Sequence, residues 1–294
     1  MSGFFRPRRS CLYIPGINSR ALEKARGLHT DCLLIDLEDA VAPDSKESAR
    51  AQACDLISQK PFGHREVVLR INGRDTAWFE DDLTQAVAAG PDAILVPKVM
   101  SADDILFMDD KLSTLNAPPN MTLWAMIEVP QAILRINDIA ATASASRLSC
   151  FVMGTNDLAK ELSIPITSGR FAFMTALSLT VMAAKAFGVS AIDGVFNDIA
   201  DGDGFALECT QGLELGFDGK SLIHPKQTDD ANRVFSPTPE AVAEARAVVA
   251  AFELAENAGK GVIVVDGKMT ELLHLERAQQ LVAKAAAIES LPAS

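Results

Sequence analysis

The sequence predicts an α/β protein, a (β/α)₈ TIM barrel with a small C-terminal helix-strand-helix extension. Three observations point there. Eight short apolar runs recur along the chain, segments of helical length lie between them, and 294 residues suit one barrel of about 250 residues with an appendage.

The runs fall at residues 12–15, 33–37, 67–71, 93–97, 123–127, 149–153, 191–195 and 221–223. Between them, stretches such as 44–59, 75–89 and 171–187 have the length of crossover helices, and a strand followed each time by a crossover gives a parallel sheet. An open doubly wound sheet would want G-x-G-x-x-G after an early strand, whereas Pro15 is followed only by Gly16 and Asn18. Residues 1–235 are therefore expected to form the barrel.

After the eighth unit, Ser236-Pro237-Thr238-Pro239 reads as a linker ending in a helix start, because proline fixes φ and lacks a donor. Residues 236–294 then read as a helix over 240–256, a strand over 262–265, a turn at Asp266-Gly267 and a helix from about 272 to 289. One strand and two helices bury little surface alone, so this extension is expected to pack on its own barrel or on a neighbouring subunit.

Composition narrows the function classes. With 48% hydrophobic and 22% charged residues the chain can bury a large core, and 6% aromatics argues against an aromatic-rich binding module. A net charge of −12 disfavours nucleic acid and anionic membranes. Five cysteines, with Cys11, Cys32 and Cys150 in apolar runs, suit reduced buried thiols and a cytoplasmic location better than a disulfide framework. Residues 1–9 carry three arginines, but no signal-length apolar segment follows, and no run approaches the roughly 20 apolar residues of a membrane span.

In a barrel the chemistry sits where strands end and βα-loops begin. The second strand closes on Asp36-Leu37-Glu38-Asp39, the third on Arg70-Ile71-Asn72, the fourth on Pro97-Lys98, the fifth on Glu128 and the eighth on His224-Pro225; the sixth runs into Gly154-Thr155-Asn156-Asp157. Carboxylates converging on one mouth repel unless a cation neutralises them, and oxygen-only ligands suit a hard divalent ion such as Mg²⁺. The plainer alternatives are that Asp157 caps a helix, that Glu128 is a solvated loop acid, and that the Asp36 run is a solvated strand end. A guanidinium closing an apolar strand needs an oxygen partner, so Arg70 reads as a binder of substrate oxygens or as one half of an ion pair with an acid of the second strand. Lys98 carries the same ambiguity.

Several motifs fail on spacing. Four histidines and the cysteines lack zinc-ligand offsets, so His224 reads best as a hydrogen-bonded structural residue. The Gly216 to Ser221 stretch puts Glu214 where a phosphate loop needs its first glycine, Asp198, Asp201 and Asp203 miss the calcium-loop offsets, and no G-x-S-x-G elbow exists.

Taken in order, Arg9-Ser10, Pro15-Gly16, Asp36-Leu37-Glu38-Asp39-Ala40-Val41, Lys46 with Ala49-Arg50, Arg70-Ile71-Asn72, Pro97-Lys98, Ile127-Glu128, Gly154 with Asp157-Leu158, Asp193-Gly194, Gly216-Phe217-Asp218-Gly219-Lys220, His224-Pro225 and Val265-Asp266-Gly267-Lys268-Met269 resemble the citrate lyase β-subunit-like family, which includes malyl-CoA, β-methylmalyl-CoA and citramalyl-CoA lyases. The resemblance spans roughly residues 9–287. It implies that Glu128 and Asp157 hold Mg²⁺, with Glu128 also at the substrate, that Arg70 binds substrate oxygens, and that Asp36, Glu38 and Asp39 orient the ion's water. It further implies that Arg20 or Lys24 reaches the CoA phosphates and that Pro15 lies at the substrate. A homotrimer follows by the same resemblance, with the extension laid over a neighbour. One position departs from the pattern: where the family carries an acid/base aspartate in the tail, this chain has Glu271, and the proline that usually follows is missing.

The activity so implied is Mg²⁺-dependent carbon–carbon cleavage or condensation of a 3-hydroxyacyl-CoA such as malyl-CoA or citramalyl-CoA, with a 2-oxo acid and acetyl-CoA as partners. Arg70 would stabilise the oxyanion and Glu271 would protonate the departing carbon. The rivals are a malyl-CoA thioesterase, a citryl-thioester lyase subunit, a pyruvate-dependent class II aldolase and a catalytically silent homologue.

Overall fold

The computed structural model describes residues 6–254 and 257–292. Eight parallel strands close a barrel in sequence order: β1 Ser10–Pro15, β2 Cys32–Asp36, β3 Glu66–Arg70, β4 Ala93–Val96, β5 Thr122–Ile127, β6 Leu148–Met153, β7 Ser190–Asp193 and β8 Gly219–Leu222, with β8 pairing back onto β1. The (β/α)₈ expectation holds. Helices lie between the strands, though some expected helices are trimmed: residues 75–78 form turns before helix Phe79–Ala89, and 171–173 form a 3₁₀ turn before Met174–Ala186. Gly216, at φ +98°, ends helix Gly202–Leu215 in the left-handed conformation that glycine adopts without a Cβ penalty, and β8 follows directly.

Side chains alternate across each strand, and this alternation sorts the core. Cys11, Cys32, Leu34, Val68, Leu95, Trp124, Met126, Cys150, Val152 and Ile192 fill the barrel interior, with Tyr13 packed against them. The intervening Leu12, Leu33, Ile35, Leu37, Leu69, Ile94 and Phe151 belong to the larger cluster that includes the helices' apolar residues. One step further along each inward row come Asp36, Arg70, Glu128 and Gly154. The strand pattern thus delivers acids and a guanidinium to one end of the barrel. All five cysteines are free and buried.

The opposite end is closed. Arg8 makes a two-pronged ion pair with Glu66, donates to Ser190 Oγ at 3.0 Å, and lays its guanidinium 4.7 Å from the ring centre of Trp124.

Residues 8–235 form one compact unit; 236–292, with Arg6 and Pro7, form a second. In the second unit Thr238 Oγ1 accepts from Ala241 N–H and starts helix Pro239–Glu253, with Pro239 in its first turn. The end expected for this helix, at 255–256, lies outside the described residues. Strand β9, Val262–Val265, is joined by a second strand, β10 (Lys268–Glu271), so the unit holds a hairpin where one strand was expected. Asp266 and Gly267 have φ of +48° and +75°, the doubly left-handed pattern of a tight two-residue hairpin loop. Helix Leu272–Glu289 follows. Among the described residues no helix is long and apolar enough to cross a membrane.

Candidate active site

The acids at the mouth are gathered around Arg70. Its Nε and Nη2 each lie 2.7 Å from one oxygen of Asp36, and its Nη1 lies 2.8 Å from Glu38 Oε2 and 3.1 Å from Asp39 Oδ2. A planar fork engaging a carboxylate with two parallel bonds is the strongest geometry such a pair has. Asp36 also accepts from the backbone N–H groups of Glu38 and Ala40, which winds the acidic loop back over the strand end. Lys46, at the start of helix Lys46–Ser58, donates to the carbonyls of Leu37 and Glu38 at 2.9 and 2.6 Å and pins the loop from behind. Burial lowers its pKa.

Glu128 is as buried as Asp36. It is 1% exposed, so it is no solvated loop residue. Its Oε1 accepts the backbone N–H of Lys98 at 2.7 Å, a donor presented by a left-handed backbone at Lys98 (φ +53°), while its Oε2 is buried without a hydrogen-bond partner. Burial first, then the charges of Glu38 and Asp157, push its pKa up to about 8, against the Lys98 hydrogen bond and Arg70. Glu38 is likewise raised to about 7, by burial and by Asp39 and Asp36 against Arg70. The Lys98 ammonium stands 3.6 Å from Glu38 Oε1, the ion pair that the sequence left open.

Asp157 sits in the first turn of helix Thr155–Leu162, whose N-cap is Gly154, so Asp157 is not the cap. Gly154 is required by contact: a Cβ there would come 2.4 Å from Glu128 Cβ and 2.7 Å from Glu128 Oε2. Gly154→Ala is therefore expected to displace the Glu128 carboxylate and to lower stability by about 1–3 kcal/mol, as overpacking does. Urea unfolding measures it, and an unchanged midpoint with unchanged turnover would show that the contact relaxes freely.

A cavity of about 300 Å³ opens at this mouth. Tyr13, Met126, Met153, Val195 and Ile223 give it an apolar wall, and Asp36, Asp39, Arg70 and Asp157 a charged one. A larger cavity, about 650 Å³, lies between residues 166–169, 195–198 and helix Gly202–Leu215. It shares only Val195 with the mouth, and neither Arg70 nor Asp157 reaches it. Near it a separate buried network joins Asp193 to Arg170 and Lys220, with Glu208 against Lys220 at 2.8 Å.

Of the residues singled out from sequence, Asp36, Glu38, Asp39, Arg70, Lys98, Glu128 and Asp157 meet at the mouth, and Pro15 closes β1 beside them. Arg20 and Lys24 are exposed on helix Ser19–Ala25. Glu271 belongs to the second unit, where it is the N-cap of helix Leu272–Glu289, its N–H donating to His274 Nδ1 at 2.9 Å. His224 is structural: its Nδ1 accepts Lys226 N–H at 3.1 Å. Tyr13, Met126 and Met153 went unnoticed because aromatic and apolar residues inside strands look like core. Only inward parity near the strand ends could have flagged Tyr13 and Met126, whereas Met153 stands on the outward row with Phe151.

A closed parallel barrel with charged side chains gathered where its strands end is the layout of a barrel enzyme. The chain belongs to the HpcH/HpaI aldolase/citrate lyase family, whose model matches residues 9–225. It is 48% identical over 288 residues to a (3S)-malyl-CoA thioesterase of Cereibacter sphaeroides, covering 98% of each chain. It is 32% identical over 285 residues to the citrate lyase subunit beta of Escherichia coli, covering 95% of this chain and 94% of the other. Among solved structures, protein CitE from Mycobacterium tuberculosis in complex with magnesium, acetoacetate and coenzyme A matches with a TM-score of 0.74 and 26% identity, over 94% of this chain and 97% of that one.

Proposed function

We propose that the chain is a Mg²⁺-dependent hydrolase of a malyl-CoA-type thioester, with Glu128 and Asp157 holding the ion and the mouth cavity holding the acyl group. The observation that carries the reading is Glu128, a buried carboxylate with one oxygen unpartnered and a pKa raised to about 8. Among the described residues no cation makes an ion pair with it. Its surroundings offer oxygen donors, and among the described residues no set of three or more His, Cys, Asp and Glu side chains gathers in ligand geometry. That fits Mg²⁺, which takes one or two carboxylates and fills its octahedron with water and substrate. When bound, the ion supplies charge neutralisation and polarises a substrate oxygen.

The chain's own groups do the rest. Arg70, locked by Asp36, presents a fixed positive edge to the cavity for an oxyanion formed at the acyl carbonyl. Met126, Met153, Val195 and Ile223 cover the carbon chain and limit the water admitted. The 48% identity to malyl-CoA thioesterases supports hydrolysis and this acyl group; the CitE complex supports the ion and a CoA compound.

A second reading, carbon–carbon cleavage to a 2-oxo acid and acetyl-CoA, draws on the citrate lyase relatives. There Glu271 would be the proton donor. Incubation with (3S)-malyl-CoA and Mg²⁺ decides: hydrolysis releases free thiol and malate with no glyoxylate, cleavage releases glyoxylate with no thiol. Release of neither would sink both readings.

A further inference from the structure

Among the polar groups at the mouth that the charge network does not use is a phenol. Tyr13, the only tyrosine in the chain, lies on β1 with its ring against the barrel-interior cluster and on the cavity wall. Among the described residues its hydroxyl meets only Met126 Sδ, at 3.6 Å. Tyr13 is half-buried and a thioether is a weak acceptor, so the O–H has little protein partner in exchange for the water it has lost. A phenylalanine would fill the same apolar wall without that cost. The ring is also held in place: the Arg70 guanidinium lies 5.1 Å from its centroid, and Arg70 is fixed in turn by Asp36. Burial drives the phenol pKa upward, so the group is a protonated donor.

We propose that Tyr13 is a substrate-orienting residue whose hydroxyl donates a hydrogen bond to an oxygen of the acyl group in the mouth cavity. This rests on the reading of the mouth as a hydroxyacyl-thioester site. The arrangement gives that oxygen two donors on one side, the phenol and the guanidinium above it, while Glu128 and Asp157 lie among the other strand ends. The phenol therefore selects acyl groups that carry an acceptor at this point, and an acyl chain ending in a methyl group would leave it unpaired.

A single tyrosine makes the test direct. Full-length protein labelled with ¹³Cζ-tyrosine gives one ring resonance, followed on adding Mg²⁺ alone and then free (S)-malate. The expected result is no shift with Mg²⁺ and a clear shift with malate. Tyr13→Phe is expected to keep its Mg²⁺-induced rise in Tm, to bind malate roughly tenfold more weakly, and to lose about tenfold to hundredfold in kcat/KM on malyl-CoA. If calorimetry shows malate bound while the resonance stays still, or if Tyr13→Phe binds malate as tightly as wild type, the assignment of Tyr13 is overturned. If the wild type neither binds malate nor turns over malyl-CoA, the failure is that of the site reading itself, and the role of Tyr13 falls with it.

Discussion

At pH 8 in EDTA, Glu128→Gln should melt at a higher temperature than wild type, gain nothing from Mg²⁺, and turn over malyl-CoA about a thousandfold more slowly. The first effect follows from burial. A carboxyl whose folded pKa is raised from 4.5 to about 8 contributes stability that is fully present below about 4.5 and is lost as pH rises through about 8. In metal-free protein at pH 8 that loss is nearly complete, and an uncharged amide removes it. The second effect follows from linkage: an ion held by the native state alone stabilises it by about 2.7 kcal/mol at a hundredfold its Kd, and the variant lacks the anion that holds it. Asp157→Ala should lose the same Mg²⁺ response without the gain in EDTA, because Asp157 is only partly buried and its charge keeps its contact with water. Thermal melts with and without Mg²⁺, with malyl-CoA turnover, check both. A Glu128→Gln protein still stabilised by Mg²⁺ and still active would remove the ion from this site.

Arg70→Lys should lose at least a hundredfold in kcat, nearly as much as Arg70→Ala, yet fold far better than it. Three acids crowd this guanidinium, two of them buried, and deleting it leaves them unpaired at a cost of about 3–5 kcal/mol. Lysine restores the charge and so most of the stability. It cannot restore a flat fork that holds Asp36 with two bonds and still shows a rigid edge to the cavity. Urea unfolding and steady-state kinetics on the three proteins separate the two contributions. Unaltered kcat in the lysine variant would reduce Arg70 to an ion pair that shapes the Asp36 loop.

The barrel was legible because buried parallel strands leave near-continuous apolar runs, and the acids that end β2 and β5 stood out against them. What Arg70 touches was not legible. Its side chain crosses to a strand 34 residues away, and sequence offered both an internal and a substrate partner. The hairpin in the second unit was missed for a different reason: Lys268–Glu271 has little apolar character and is a strand by virtue of its pairing with β9. The Asp-Gly loop before it was the available signal. The floor of the barrel left a fainter trace still, since Arg8 and Glu66 sit at run edges where charges are ordinary.

That floor makes the barrel a well with one opening. Arg8, Glu66, Ser190 and Trp124 fill the far end, and the cavity lined by Arg70 and Asp157 opens at the mouth. On the proposed reading, a thioester with its acyl end in the mouth cavity would keep its bulky thiol half at the rim. Departure would then run in reverse order of depth: the thiol would clear the opening first, and the acid that lay deepest would leave last.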